Sequence, residues 1–263
     1  MRIMVMAGTS DSTVLIKKLK NLKNDIYIMA TTVTSYGAQI AKSAGANAVI
    51  SKPLQKDGLT HIIKKHHIDI LVDSTHPFAA EATRNAIQAS KETAITYLRL
   101  ERPATTLPKN SLIHPVASFP EAAQLAKTIN NGCIMHLAGV TTLHHLTEVI
   151  DADRIVARVL PNPYSIKKSL ELGLPGENLI AMQGTFTAEF NKALMREYGA
   201  EVVVTKDSGA VGGTTSKIEA ALELEIPIIV VLRPEILGLE YEKVSSSVEE
   251  LIELVLKSGT LDE

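Results

Sequence analysis

IMVMAGTSD at residues 3–11 and IMHLAGVTT at residues 134–142 are the two stretches whose reading decides the fold. Each is a short apolar run that ends in Ala-Gly and gives way at once to small hydroxylated residues. A buried strand entering a glycine turn and then a helix has this form. The offset between them is 131 residues, and nearly the same offset carries DILVDSTHP at residues 69–77 onto EVVVTKDSG at residues 201–209. It also carries Arg102-Pro103 onto Arg233-Pro234, and VASFPEAAQLA from Val116 onto VSSSVEELIEL from Val244. Shared order and spacing point to two similar lobes. Strands of 3–6 residues alternate with helical-period segments throughout, so the class is α/β with mainly parallel sheets.

In the first half the pattern predicts strands at 2–6, 25–31, 48–50, 70–73 and 95–98, with helices at 12–22, 38–44, 58–66 and 79–90 between them. We place the boundary near Asn130-Asn131-Gly132, giving a nucleotide-binding lobe at 1–130 and a substrate lobe at 131–263. Ligands of such folds bind beyond the carboxyl ends of the strands, so an interlobe cleft is the expected site.

Composition narrows the function. The chain has 263 residues, 45% hydrophobic and 21% charged, which suffices for one large core or two smaller ones. Its single cysteine, Cys133, allows neither an internal disulfide nor a cysteine zinc cluster. No apolar run approaches the roughly 20 residues that span a bilayer, and polarity by Thr9 argues against a signal peptide. A cytoplasmic location without membrane attachment is therefore expected. A formal charge of -2, no Trp, four Phe and six Tyr argue against nucleic acid as a partner. Oligomeric state has no signature in the sequence.

The turn Ala7-Gly8-Thr9-Ser10-Asp11 points backbone N–H groups and a positive helix end at a phosphate. It lacks the full G-x-G-x-x-G, and an ordinary capped turn has the same look. The second strand runs into Thr31-Thr32-Val33-Thr34-Ser35-Tyr36-Gly37, where NAD-specific sites commonly place an acid for the ribose. Hydroxyls without a carboxylate tilt the expectation towards NADPH, with NADH as the alternative. Gly8, Thr9, Ser10, Asp11, Thr32, Thr34 and Ser35 are thus the candidate cofactor residues, joined by Asp73 and Thr75 at the end of the 70–73 strand.

That last strand opens into Asp73-Ser74-Thr75-His76-Pro77-Phe78, a dense cluster of chemical groups. His76, Pro77 and Phe78 are candidate substrate contacts, and His76 is also a candidate for proton transfer. The matching loop is Thr205-Lys206-Asp207-Ser208-Gly209, followed by Gly212 and Gly213. Lys206, Asp207 and His76 are the candidate catalytic set, and Ser208 a candidate substrate contact. The nearby Thr214-Thr215-Ser216-Lys217 is no Walker loop, because its lysine follows the hydroxyls. Gln183-Gly184-Thr185-Phe186 could cradle a phosphate or carboxylate, with Gln183 and Thr185 as its polar contacts, or be a plain turn. The adjacent pairs His66-His67 and His144-His145 lack an i, i+4 partner, and no metal site is expected. Tyr164 and Lys168 have the Y-x-x-x-K spacing of short-chain dehydrogenases, without that family's multi-glycine turn.

AGTSD, VDSTHPFA, YLRLERP, TKDSG, KIEAA at residues 217–221 and the closing LRP together resemble the precorrin-6A reductases of cobalamin biosynthesis, over essentially the whole chain. Ala7-Gly8-Thr9 and Asp11 depart from the family's usual Gly-Gly-Thr and glutamate. The resemblance implies two Rossmann-like lobes. It also implies reduction of one double bond of precorrin-6A, or of its cobalt form, by hydride from a nicotinamide with a proton added at the neighbouring carbon. Such a substrate carries several carboxylates, which suit Arg and Lys. Arg99, Arg102, Lys206, Lys217 and Arg233 are the candidate cations, the two Arg-Pro arginines serving equally well to pack the ends of the repeats. The competing readings are a short-chain-type nucleotide-sugar or alcohol oxidoreductase using Tyr164, and a non-catalytic binding protein for an anionic small molecule.

Overall fold

A computed structural model of the chain describes residues 1–22, 25–129, 131–209 and 212–258. It divides into two units, Met1–Pro103 with Glu235–Glu263, and Ala104–Pro234.

Unit 1 begins with β1 (Arg2–Met6), α1 (Ser10–Asn21), β2 (Tyr27–Thr32), α2 (Ser35–Ser43) and β3 (Ala48–Ser51). It continues through α3 (Lys56–His66), β4 (Ile70–Asp73), α4 (Ala80–Thr93) and β5 (Thr96–Leu100). The chain then builds unit 2 from β6 (Ile113–Val116), α5 (Phe119–Ile129), β7 (Cys133–His136), α6 (His144–Thr147) and β8 (Ile155–Val159). After these come α7 (Pro163–Glu171), β9 (Leu179–Ala181), α8 (Ala188–Glu197), β10 (Ala200–Lys206), α9 (Thr214–Glu223) and β11 (Ile228–Val231). Finally β12 (Lys243–Ser245) and α10 (Val248–Ser258) return to unit 1.

Each unit holds one six-stranded sheet, ordered β12-β5-β4-β1-β2-β3 in unit 1 and β6-β11-β10-β7-β8-β9 in unit 2. Every strand pair is parallel, as the βα alternation requires. Alternate residues of β1 feed opposite faces. Ile3 and Val5 pack with Leu15, Leu19 and Leu251 under α1 and α10, while Met4 and Met6 pack with Leu59, Ile63 and Ile87 under α3 and α4. Because both faces are covered, the strands read as unbroken apolar runs.

The expected boundary near residue 130 is corrected, because the closing elements of the two repeats are exchanged. β6 and α5 follow the first repeat but β6 pairs with β11, Ile113 lying opposite Ile228. β12 follows the second repeat but pairs with β5, Val244 lying opposite Arg99. Residues 104–130 and 235–263 therefore fall in the unit opposite to the one expected; Asn130 itself lies outside the described residues. The crossings follow Arg102-Pro103 and Arg233-Pro234, where a proline without an N–H ends the ladder of the preceding strand. Among the described residues no helix is long and apolar enough to cross a membrane.

Candidate active site

The glycine turn of unit 1 is built by its own polar groups. Thr9 caps α1, its hydroxyl accepting from the Ser12 N–H at 3.2 Å, and the Ser12 hydroxyl donates to the Thr9 carbonyl at 2.6 Å. The Thr9 hydroxyl also donates to the Ser74 carbonyl at 3.0 Å, and the Ser74 hydroxyl to the Met6 carbonyl at 2.9 Å. These bonds latch the β1 turn to the loop after β4. Gly8 has φ +145°, and a Cβ there would meet nothing within 4 Å. The turn thus leaves open space beside the first backbone N–H groups of a 12-residue helix, which fits a diphosphate.

Arg102 belongs to this turn. It pairs with Asp11 and donates to the Ser10 hydroxyl at 2.8 Å. Asp11 and Ser10 are accordingly engaged with a guanidinium at the helix start. At the end of β2, Thr34 caps α2 by accepting from the Gly37 N–H at 3.1 Å and is exposed together with Ser35. Thr32 is buried and donates to the Thr34 carbonyl at 3.1 Å, so it shapes the loop instead of contacting a ribose.

Asp73 and Arg99 need a larger correction. They lie opposite each other in the β4–β5 register and are bridged at 2.8 Å with both side chains at 0% exposure, so neither touches a ligand directly. The Asp73 carboxylate also accepts from the Tyr97 hydroxyl at 3.0 Å and from the Thr75 N–H and hydroxyl at 3.0 and 2.8 Å. Arg99 reaches Thr75 at 3.0 Å and Glu101 at 2.8 Å. Burial alone would lower the proton affinity of Arg99, but the Asp73 and Glu101 carboxylates outweigh it and raise it. Burial, followed by the Asp73 charge, pushes the Tyr97 phenol far up. The network fixes the turn that presents His76. Nδ1 of His76 accepts from the Phe78 N–H at 3.1 Å, which leaves the ring proton on Nε2, and the ring lies 5.8 Å from that of Phe78. His76, Pro77 and Phe78 are partly exposed, as ligand contacts require.

Unit 2 gathers cations at the carboxyl ends of its strands. Burial lowers Lys206, on β10, to about 8. Lys217, on α9, is 6% exposed, and burial followed by the charges of Arg158 and Lys206 lowers it to about 7. Burial brings Arg158, on β8, to about 10. It lies over the Phe186 ring at 4.8 Å and donates to the Asn191 side chain at 3.1 Å. His136, on β7, is held neutral by burial, at about 4. Its Nε2 faces the Gly139 carbonyl at 3.1 Å, and its buried Nδ1 has no partner among the described residues.

Asp207 is corrected from proton relay to turn former. One oxygen accepts from the Thr105 and Gly209 N–H groups, each at 3.1 Å, and the other pairs with Arg233 at 3.2 Å. Arg233 also donates to the Asp207 carbonyl at 3.3 Å, so the two residues brace each other. Thr214 accepts from the Ser208 N–H at 2.9 Å and donates to the Lys206 carbonyl at 3.2 Å, fixing the Lys206 backbone against the start of α9. The Gln183-to-Phe186 turn stands beside the same helix, the Ser216 hydroxyl donating to the Phe186 carbonyl at 2.8 Å. Gln183 and Thr185 are exposed there.

Arg158, Asn191 and His136 were missed. Arg158 had a usable signal, a lone charge inside the apolar run Ile155-Val156-Ala157-Arg158-Val159, whereas Asn191 inside α8 had none. Tyr164 lies 65% exposed on the first turn of α7.

Parallel Rossmann-like sheets, a glycine turn that caps a helix and a group of buried cations are compatible with an oxidoreductase of the α/β class. The family model described as precorrin-6x reductase CbiJ/CobK matches residues 2–256, and the chain belongs to that family. It is 43% identical to cobalt-precorrin-6A reductase of Methanothermobacter thermautotrophicus, over 98% of this chain and 84% of the relative. It is 42% identical to cobalt-precorrin-6A reductase of Methanocaldococcus jannaschii, over 97% and 98%. The solved structure of CobK precorrin-6A reductase superimposes with a TM-score of 0.79 at 20% identity, covering 100% of this chain and 99% of that one, which supports the fold.

Proposed function

We propose that this chain reduces one double bond of cobalt-precorrin-6A to give cobalt-precorrin-6B, using NADPH bound by unit 1 while unit 2 holds the macrocycle. Family membership supports the reaction, and the cobalt form is favoured because relatives at 36–43% identity are cobalt-precorrin-6A reductases. The observation that carries the division of labour is the contrast between the units. Unit 1 has an open glycine turn at a helix start, and unit 2 has Arg158 and Lys217 buried with no carboxylate, among the described residues, in the groups acting on them. Macrocycle carboxylates would supply the missing charge.

Bound in unit 1, the reduced nicotinamide supplies hydride. Ser10, Asp11 and Arg102 orient its diphosphate at the start of α1, and Thr34 and Ser35 meet its ribose. His76 and Phe78 hold the reacting face, with the His76 ring and Phe78 set by the bond between His76 Nδ1 and the Phe78 N–H. Lys206 answers a substrate carboxylate.

Titrating the purified protein with NADPH and with cobalt-precorrin-6A, then following nucleotide absorbance on mixing, tests the reading. Nucleotide oxidation that needs the tetrapyrrole is expected, and binding without oxidation would overturn it. Lys206→Ala should raise the Michaelis constant for the tetrapyrrole and lower turnover by about 10-fold or more, the scale of one charge-assisted contact. His76→Ala should lower turnover, with NADPH affinity within about twofold of wild type in both variants. Near-native tetrapyrrole kinetics in both would dismiss these loops as substrate contacts.

Because no carboxylate occurs from Thr31 to Gly37, kcat/KM should be higher with NADPH than with NADH. A kcat/KM for NADH about 10-fold above that for NADPH would reverse the assignment of the β2 loop to a phosphorylated ribose.

A further inference from the structure

Lys217 is in an unusual position for a lysine. Its Nζ is buried against two neutral oxygens at long range, the Leu137 carbonyl at 3.4 Å and the Thr205 hydroxyl at 3.3 Å. The charges acting on it are Arg158 from β8 and Lys206 from β10, both of its own sign. From β7 it faces His136, which is neutral, and Asp207, the carboxylate that follows Lys206 in the chain, is engaged by Arg233. An ammonium here loses water and gains no counter-charge among the described residues, so the free protein favours the amine above pH about 7, and the amine still donates to both oxygens. An arriving carboxylate reverses that balance, since an opposite charge within about 4–6 Å favours the charged form.

We propose that Lys217 takes up a proton when a carboxylate of the macrocycle docks on unit 2, so that substrate binding is coupled to protonation of this side chain. The proposal rests on the reading that unit 2 binds the tetrapyrrole. It makes Lys217 a positioning residue that, above pH about 7, is charged mainly when the site is filled.

The sign follows from linkage. Below pH about 7 Lys217 is already protonated in the free protein and binding takes up nothing. Above it the ammonium needed by the complex must be formed, and affinity falls by up to about 10-fold per pH unit. Lys206 titrates nearer 8, so both lysines can contribute above 7, and the loss of uptake in Lys217→Met separates the share of Lys217. Folding shows the same group from the other side. The lysine value is about 7 in the fold against 10.5 in the open chain, so its burial destabilises fully below about 7, and stability recovers as pH rises towards 10.5. Lys217→Met should therefore raise the thermal midpoint at pH 6.5.

The test is calorimetric titration of cobalt-precorrin-6A without nucleotide at pH 7.5, in phosphate, HEPES and Tris, whose ionisation enthalpies differ. Wild type should take up about half a proton or more per macrocycle. Lys217→Met should lose that uptake and bind more weakly. Lys217→Arg, charged throughout, should bind without uptake and show a Michaelis constant flat between pH 7 and 8. Zero uptake by a wild type that binds, or undiminished uptake by Lys217→Met, would overturn the proposal alone. A wild type that does not bind the tetrapyrrole would overturn the proposed function and this inference with it.

Discussion

Gly8→Val is expected to weaken NADPH binding by about 100-fold while the protein stays folded, as read by fluorescence titration of the nucleotide alongside circular dichroism. Two effects combine. A valine at φ +145° stands in a region that β-branched residues avoid, so the turn shifts at a cost of about 1–3 kcal/mol. Its methyls would also fill the open space beside the start of α1, where a diphosphate must come within hydrogen-bonding distance of backbone N–H groups. Losing one or two such charge-assisted bonds, each worth about 1.5–3 kcal/mol, gives the stated loss. Since the Cβ meets no neighbour in the free protein, core packing is spared. Gly8→Ala should fall between the two. Unchanged affinity in a folded Gly8→Val protein would move the phosphate site elsewhere, the Gln183-to-Phe186 turn being next in line.

The strands were legible because a parallel sheet covered on both faces leaves apolar runs such as Val202-Val203-Val204, and the turns because Gly8 and Gly139 end such runs in both repeats. The exchange of closing elements was hidden by the repeat itself. VASFPEAAQLA and VSSSVEELIEL are alike enough that either could complete either sheet, so local pattern carries no information about which does. Only the pairing of Val244 with Arg99 and of Ile113 with Ile228 resolves it.

Site residues were legible as positions and less so as roles. His76 follows β4 and Lys206 ends β10, so both stand where strand-end ligands bind. Asp73, Arg99 and Asp207 share those strand ends, yet their charges are spent on neighbours 26 or fewer residues away in sequence: Asp73 with Arg99, and Asp207 with Arg233. An acid and a base at the right strand ends look identical in sequence whether they face a ligand or each other. Register decides, and register is a tertiary fact.

Asp73→Ala is the change expected to cost unit 1 the most. Removing the carboxylate leaves the wholly buried Arg99 with Glu101 as its remaining acid, and strands the Tyr97 hydroxyl and the Thr75 N–H and hydroxyl, which all turn to the same group. Breaking a buried ion pair from one side costs about 3–5 kcal/mol, and the surviving Glu101 contact places this case near the lower end. Losses at Tyr97 and Thr75 add to it, because a buried donor without a partner costs about 1–3 kcal/mol. Asp73→Asn keeps one acceptor oxygen, which can serve Thr75 or Tyr97 but not both since they use different oxygens of Asp73, and it should cost less than alanine. Replacing both partners with apolar residues, Asp73→Leu with Arg99→Met, should be less harmful than either single change, since no uncompensated charge is then buried. Urea unfolding of wild type, of the single variants and of the double variant measures this directly. An Asp73→Ala protein within about 1 kcal/mol of wild type would mean that Arg99 finds water or another acid there, and that the His76 loop does not depend on the pair for its position.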